Sequence, residues 1–516
     1  MNKPLRRVSV FCLILVAALM LRANWVQVVK ADDYATDSHN KRAIYEKYSH
    51  PRGDFLVEGK PITSSVKTDD KQYEFLRKYE FGPMYAPVTG YISPFVDKNF
   101  LESIDDDILS GKDSRLFVRK VLDTVTNKGT RGGNVALTIN AKAQEAAYNG
   151  LKDKTGAAVA IDPETGKVLA MVSTPSYDPN VLAQNDRNAV AKAYDQLTLD
   201  TDKNRKKPDT NFDPRMPMEN RPIRKTYPPG STFKLITAAA ALSENRAKPG
   251  DAPRVDLKGA DHTLFYPSSN EGLSEKTHPG CVGATLQRAL ELSCNTVFAQ
   301  LGTDVGPAKL REQAERFGFN NFGKGEAQKN ALYIPSRVVD SKFPAGLDAG
   351  GQTMRSAIGQ DSVTATPMEM AMVVAGIVNQ GRIMKPYVVD ELRAQNLSVI
   401  EKTQPEVAGT AVSPEVAQQL KDMMVGVVAN PGATGAPGAI QGVTVGAKTG
   451  TAQQGVANSK PPYAWFVSFA EADGKKVAVA VVIEPDSTGD IERDDIGGGK
   501  LAGPIAKAIM EAVVQK

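Results

Sequence analysis

The stretch Tyr227-Pro228-Pro229-Gly230-Ser231-Thr232-Phe233-Lys234 runs directly into LITAAAAL, residues 235–242. That alanine-rich run has the composition of a buried helix. The two prolines disfavour helix before it and so place the helix start close to Ser231. Residues three apart on a helix share a face, with Cβ atoms roughly 5–6 Å apart. The spacing therefore predicts that Lys234 turns its amine back to the Ser231 hydroxyl, within hydrogen-bond reach. A helix start also offers unpaired N–H groups and the positive end of the dipole, both favourable to a developing negative charge. A serine with a base built in is what nucleophilic acyl transfer requires.

Ser-x-x-Lys alone is a common spacing. Ser64-Ser65-Val66-Lys67 repeats it in a polar stretch with no helical apolar pattern behind it, and reads as a solvated loop. Ser231 differs in having companion motifs downstream: Ser293-Cys294-Asn295, then Lys448-Thr449-Gly450-Thr451. Ser268-Ser269-Asn270 is a second Ser-x-Asn, set among turn formers. Taken singly, Ser231 could be a helix cap, Asn295 a helix start and Thr449-Gly450 a strand end. In order on one chain, S-x-x-K, S-x-N and K-T-G are the set shared by penicillin-binding proteins and class A β-lactamases.

On these motifs the chain resembles a class B penicillin-binding protein of the short penicillin-binding protein A type of actinobacteria, over nearly its whole length. Tyr227 to Lys234 is similar to that family's Y-x-P-G-S-T-F-K segment, and Asn220-Arg221 to the pair before it. Ile358-Gly359-Gln360, Thr366-Pro367 and Asn379-x-Gly381 are similar to the segment between the second and third motifs. Lys448 to Gln453 and Ala464-Trp465-Phe466 complete the pattern, with Ala447 where the family usually has glycine.

The resemblance implies an α/β fold: a transpeptidase domain of the penicillin-binding-protein and serine β-lactamase kind, an antiparallel sheet flanked by helices. A small N-terminal pedestal and a membrane anchor would precede it. It also implies a peptidoglycan D,D-transpeptidase. Ser231 would attack the D-Ala-D-Ala bond of a stem peptide and release D-Ala, and the amine of a neighbouring stem peptide would resolve the acyl-enzyme. β-Lactams would acylate the same serine. Lys234 would be the base, neutral through burial and the nearness of Lys448, and Ser293 would relay the proton to the leaving amine. Asn295 would hold the substrate amide, and Lys448 would supply positive potential. Thr449 and Thr451, flanking Gly450, would bind the terminal carboxylate, and the N–H groups of Ser231 and Thr451 would form the oxyanion hole. No cofactor or metal is implied.

Three other readings stay open. A serine β-lactamase needs an added carboxylate for its deacylating water, and no E-x-x-L-N segment comes after Ser293. A D,D-carboxypeptidase differs only in using water as acceptor. A non-catalytic β-lactam-binding division scaffold would not need complete motifs.

The 516 residues suggest two soluble parts behind a leading segment: 1–30 as cytoplasmic tip and signal anchor, 31–134 as pedestal, 135–516 as transpeptidase domain. With 41% hydrophobic and 24% charged residues, the composition is that of a globular chain, and a net charge of +4 does not suggest a nucleic-acid partner. Basic clusters at 203–207 and 215–225 read as a solvated face. Lys3, Arg6 and Arg7 precede the uncharged apolar run 8–21, which Trp25, Val26, Val28 and Val29 extend to a length that could cross a bilayer. An uncleaved anchor in the cell membrane is expected, with its N-terminus cytoplasmic and the catalytic domain extracellular. A divisome or elongation-complex protein is an expected partner.

Arg52-Gly53-Asp54 with Leu56 is similar to the R-G-x-I segment that begins the non-catalytic part of class B enzymes. The region is too short for a glycosyltransferase. Residues 157–161 and 168–172 read as one hairpin, 465–469 and 477–483 as another around Asp473-Gly474, and 498–514 as a closing helix. Cys281 and Cys294 read either as a disulfide, in an oxidising compartment, or as two buried thiols. His39, His50, His262 and His278 show no metal-ligand spacing.

Overall fold

The computed structural model describes residues 3–30, 34, 45–116, 131–198, 216–267, 269–275, 279–320, 338–454, 460–484 and 496–515. The basic cluster 203–207, Arg215, His39, Ser268 and His278 lie outside the described residues.

The catalytic half is built on a five-stranded antiparallel sheet in the order Thr444–Gln454, Lys460–Ala472, Lys475–Ile483, Gly156–Ile161, Val168–Thr174. Both expected hairpins are present. Gly156–Ile161 pairs with Val168–Thr174, and Lys460–Ala472 with Lys475–Ile483. Asp473 and Gly474 join the second pair with φ of 51° and 75°, the left-handed backbone that a two-residue turn demands.

Alternation along the strands splits the core in two. Ala158, Ala160, Val479 and Val481 face the helices Ala141–Leu151 and Gly503–Val514. Ala157, Val159, Ala478 and Ala480 share the opposite core with Lys234–Ser243 and Pro367–Val378. The latter is buried along its whole length, and the Thr366 hydroxyl caps it by accepting from Glu369 N at 3.1 Å. The expected closing helix is two, Gly498–Leu501 and Gly503–Val514, divided at Ala502.

A second sheet ties the N-terminal part to the catalytic part. Asn134–Leu137 runs parallel to Phe55–Val57 on one side and antiparallel to Val389–Arg393 on the other. Backbones meet closely beside it: a Cβ on Gly53 would lie 1.7 Å from the Gly133 carbonyl oxygen. Below it, Glu102 is fully buried between two guanidiniums, Arg52 Nε at 2.7 Å and Arg77 Nε at 2.6 Å. This explains the Arg52-Gly53 pair physically: a buried charge partner, then a residue that must lack a side chain.

Ser64-Ser65-Val66-Lys67 is not a solvated loop. It belongs to the strand Thr63–Lys67, paired with Phe75–Tyr79. The Ser65 hydroxyl accepts from Arg52 N at 3.0 Å and donates to Arg52 O at 3.2 Å. Backbone pairing over a buried charge network made this strand, without the apolar alternation that would have marked it.

At the other end, the helix Lys3–Asn24 continues through a wider turn, Trp25–Val29. The 27 residues Lys3–Val29 include an 18-residue window with a mean hydropathy of 2.0, and no side chain among them is buried. At about 1.5 Å per residue they are long enough to cross a bilayer.

Candidate active site

Ser231 lies in a tight turn, Gly230–Phe233, that leads into the helix Lys234–Ser243. Three contacts pin this turn. Tyr227 exchanges backbone hydrogen bonds with Ala365 at 2.9 and 2.8 Å, Gly230 N donates to Gly359 O at 2.9 Å, and Trp465 Nε1 donates to Pro228 O at 3.0 Å. Gly359 has φ of 72°, and a Cβ there would lie 2.2 Å from Gly230 O. The family-like glycine between the second and third motifs thus seats the turn that carries Ser231.

The third motif runs alongside on the outermost strand of the sheet. A Cβ on Gly450 would come within 2.9 Å of Thr232 Cγ2 and 3.1 Å of Pro229 O, so only glycine lets strand and turn approach. Thr451 is half-buried and Thr449 buried, its hydroxyl donating to Thr434 Oγ1 at 2.8 Å. Ser293 ends the helix Leu286–Leu292 with φ of 62°, a left-handed backbone rare for a residue with a side chain. That bend points Ser293 between two lysines before Asn295 starts the next helix.

Lys234 Nζ donates to Ser293 O at 2.6 Å and Asn295 Oδ1 at 2.8 Å, and lies 3.3 Å from Ser293 Oγ. Lys448 Nζ donates to Ser293 Oγ at 2.8 Å and Thr449 O at 2.9 Å. All three motifs therefore converge on one hydroxyl. Both lysines are fully buried, whereas Ser231 is half-buried and open to a substrate. The expected hydrogen bond between Lys234 and Ser231 is not formed: among the described residues the Ser231 hydroxyl makes no hydrogen bond. The three oxygens of the second motif compete for the amine and hold it.

Burial disfavours the charged form of both amines. It pulls Lys234 down to about 7, against the carboxylate of Glu275, which pushes up. Lys448 is lowered well below the ordinary lysine value by burial and by the charge of Lys234. Two amines joined through one hydroxyl titrate as a pair and lose their first proton early.

Residues 156–511 match the model of the penicillin-binding protein transpeptidase domain, and 52–135 that of the penicillin-binding protein A dimerisation domain. The chain belongs to the penicillin-binding protein transpeptidase family. It is 39% identical to the peptidoglycan D,D-transpeptidase PbpA of Mycolicibacterium smegmatis over the full length of both chains. The PbpA of Mycobacterium tuberculosis is 38% identical, over 100% of this chain and 99% of the relative. The ceftriaxone acyl-enzyme complex of penicillin-binding protein A from M. tuberculosis matches with a TM-score of 0.78 at 37% identity, covering 91% of this chain and 100% of that one. Its penicillin G acyl-enzyme complex gives 0.75, also at 37%, covering 90% and 99%. These relatives support the class B type.

In this penicillin-binding protein Cys281 and Cys294 form a disulfide with Cα atoms 5.6 Å apart, which decides between the two readings of the sequence. Among the described residues no group of three or more His, Cys, Asp or Glu side chains gathers as metal ligands. Two acids escaped the sequence reading. Glu275 is buried against the second motif, and its polar surroundings in sequence offered no signal. Glu484 is buried and takes Arg221 Nε at 3.0 Å, Lys225 Nζ at 2.8 Å and the Tyr227 hydroxyl at 2.8 Å. Its one signal was an acid directly after the apolar run 477–483.

Proposed function

We propose that the protein is a peptidoglycan D,D-transpeptidase that works through an acyl-enzyme on Ser231. The observation that carries this reading is the convergence of Lys234, Lys448 and Ser293 on one buried hydrogen-bonded cluster beside a half-buried serine. Deprotonated Lys234 accepts the Ser231 proton as Oγ attacks the carbonyl carbon of the penultimate D-Ala. The Ser231 and Thr451 N–H groups hold the resulting oxyanion, a stabilisation worth about 3–4 kcal/mol per donor in other enzymes. The C–N bond then breaks, and the departing amine takes the proton back from Lys234 through Ser293. The amine of a second stem peptide attacks the ester in turn, giving up its proton by the same path as Ser231 is released.

Thr449 and Thr451, either side of Gly450, bind the substrate's terminal carboxylate. Its negative charge favours the cation on Lys448, which leaves Lys234 the neutral member of the pair. Asn295 orients the peptide amide once Lys234 yields its Oδ1. β-Lactams enter by the same attack and stay as esters. Glu275 is 2% exposed, and its Oε1 accepts from Asn295 N, Thr296 N and the Thr296 hydroxyl, so its place is at the helix start.

Lys3, Arg6 and Arg7 on the short side of the apolar helix orient its N-terminus to the cytoplasm and the catalytic half outside. A membrane-tethered enzyme at the cell wall then meets its stem peptides and a division or elongation partner there.

Fluorescent penicillin with subsequent peptide mapping tests the reading. One labelled peptide containing Ser231 is expected, with none from Ser231→Ala. Labelling elsewhere, or labelling that survives Ser231→Ala, would sink it. With nitrocefin a single stoichiometric burst is expected; sustained rapid turnover would make the protein a β-lactamase instead.

A further inference from the structure

Glu275 directly follows the short strand Gly272–Ser274 of a hairpin against the second motif, and it is 2% exposed. One oxygen, Oε1, accepts from Asn295 N at 2.7 Å, Thr296 N at 2.9 Å and Thr296 Oγ1 at 3.2 Å. The helix Asn295–Val305 needs this, because Cys294 at its cap position is tied into the disulfide and offers no side-chain acceptor. A helix start normally takes its acceptor from the residue just before it. Here the acceptor comes from twenty positions upstream, and it is charged.

The helix start also carries Asn295, whose Oδ1 takes the Lys234 amine at 2.8 Å. Glu275 therefore holds the backbone of the residue whose side chain holds the Lys234 amine. The groups that bear on Lys234 are Glu275 from the hairpin, Lys448 from the third-motif strand, Ser293 and Asn295 from the second motif, and the Phe298 ring 5.7 Å from Nζ. Among these, Glu275 is the one negative charge.

We propose that Glu275 is a positioning residue for acyl transfer, which seats Asn295 through the helix start and holds the lysine pair's shared proton on Lys234 in the unacylated enzyme. The inference rests on the acyl-transfer reading and adds a control to it. A carboxylate bearing on Lys234 favours the protonated base, so resting Ser231 stays an alcohol. A substrate carboxylate at Thr449 and Thr451 pulls the opposite way, toward Lys448. Burial lowers Lys234 to about 7, and Glu275 is the influence that pushes it back up.

A plain helix cap would do its work with any acceptor, charged or neutral. Glu275→Gln separates the two, because the glutamine oxygen still accepts from both N–H groups while the charge is gone. The experiment is the second-order acylation rate of the full-length protein by fluorescent penicillin, from pH 5 to 9. For Glu275→Gln the plateau should stay within about threefold of the parent, and the acid limb should move down by about one unit. At pH 6 that is about a fivefold gain relative to each protein's own plateau. Superimposed acid limbs would overturn the charge assignment.

Glu275→Asp keeps the charge and falls one methylene short of the helix start. Its limb should stay in place while its plateau drops about tenfold. An Asp variant with the parent's plateau would overturn the positioning half, and it decides the matter by itself should the Gln variant not melt cooperatively. Failure of the parent to label at Ser231 would count against acyl transfer altogether. Labelled Ser231 with indifferent Glu275 variants would count against this inference alone.

Discussion

At the scale of single residues, the cluster's chemistry is set by what burial does to lysine. An ammonium removed from water is destabilised against the neutral amine, and Lys234 sits at about 7 for that reason. The sign for activity is then fixed. A lysine base works when neutral, and it is neutral above its pKa, so acylation by penicillin should rise roughly tenfold per pH unit below about 7 and level off above it. Stopped-flow labelling between pH 5 and 9 reads this, and a profile flat through that range would exclude Lys234 as the base. A second prediction concerns Gly359, whose left-handed backbone and 2.2 Å Cβ clearance to Gly230 O leave no room for a methyl group. Gly359→Ala adds about 1–2 kcal/mol of left-handed strain and pushes on the nucleophile turn itself. Acylation should fall at least tenfold while the melting temperature drops only a few degrees. The reverse ordering would mean that Gly359 serves the fold rather than the turn.

At the scale of elements, the Ser231 turn is held by a charge that the sequence barely advertises. Glu484 sits where the strand Lys475–Ile483 ends, and its carboxylate gathers Arg221, Lys225 and Tyr227 from the segment just before Ser231. Removing one partner of such a buried cluster strands the others, at a cost of about 3–5 kcal/mol. Glu484→Ala should lower the unfolding free energy by that amount, read from urea denaturation, and should slow acylation because Tyr227 loses its anchor. A loss below about 1 kcal/mol would show that water satisfies the three donors instead. This cluster also marks how far the sequence could be read. Ser231, Ser293 and Lys448 were legible because each brings neighbours of fixed spacing, and spacing survives without knowledge of the fold. The hairpins were legible because strands buried on both faces are long runs of Val and Ala with turn formers between, Pro163 to Gly166 in one and Asp473-Gly474 in the other. Glu275 and Glu484 were not, since an acid in a chain with 59 of them has meaning only once its distant partner is known. Ser64 to Lys67 failed for a related reason: its strand is made by what lies beneath it. The missing hydrogen bond between Lys234 and Ser231 is the converse case. Local geometry permitted it, and three oxygens from the second motif outbid it.

At the scale of the whole molecule, the strand Asn134–Leu137 joins what composition divides. The boundary that the sequence suggests at 134/135 would separate a polar N-terminal part from a catalytic one, yet this strand spans it and pairs with Phe55–Val57 from the first and Val389–Arg393 from the second. Asn134 ties in both sides again: Oδ1 accepts from Asp54 N at 2.8 Å, and Nδ2 donates to Ala394 O at 3.3 Å. A pedestal attached by a flexible linker would unfold separately from its load. One that contributes strands to a shared sheet should not, because the ladder's hydrogen bonds belong to both parts at once. Ala136 is the place to ask, since it faces Leu56 in one register and Glu391 in the other. Ala136→Pro deletes an N–H from the middle of a sheet, where proline is not tolerated, at about 3 kcal/mol or more. Coupling predicts a single calorimetric transition in the parent and a single, lower one in the variant. It also predicts that the tyrosine-rich N-terminal part and Trp465 in the catalytic sheet report the same midpoint. If the variant instead shows an early N-terminal transition while penicillin still labels Ser231 at the parent's rate, the two halves are mechanically independent. The shared sheet would then be a seam rather than a joint, and the apolar helix Lys3–Val29 would be linked to the catalytic half without orienting it.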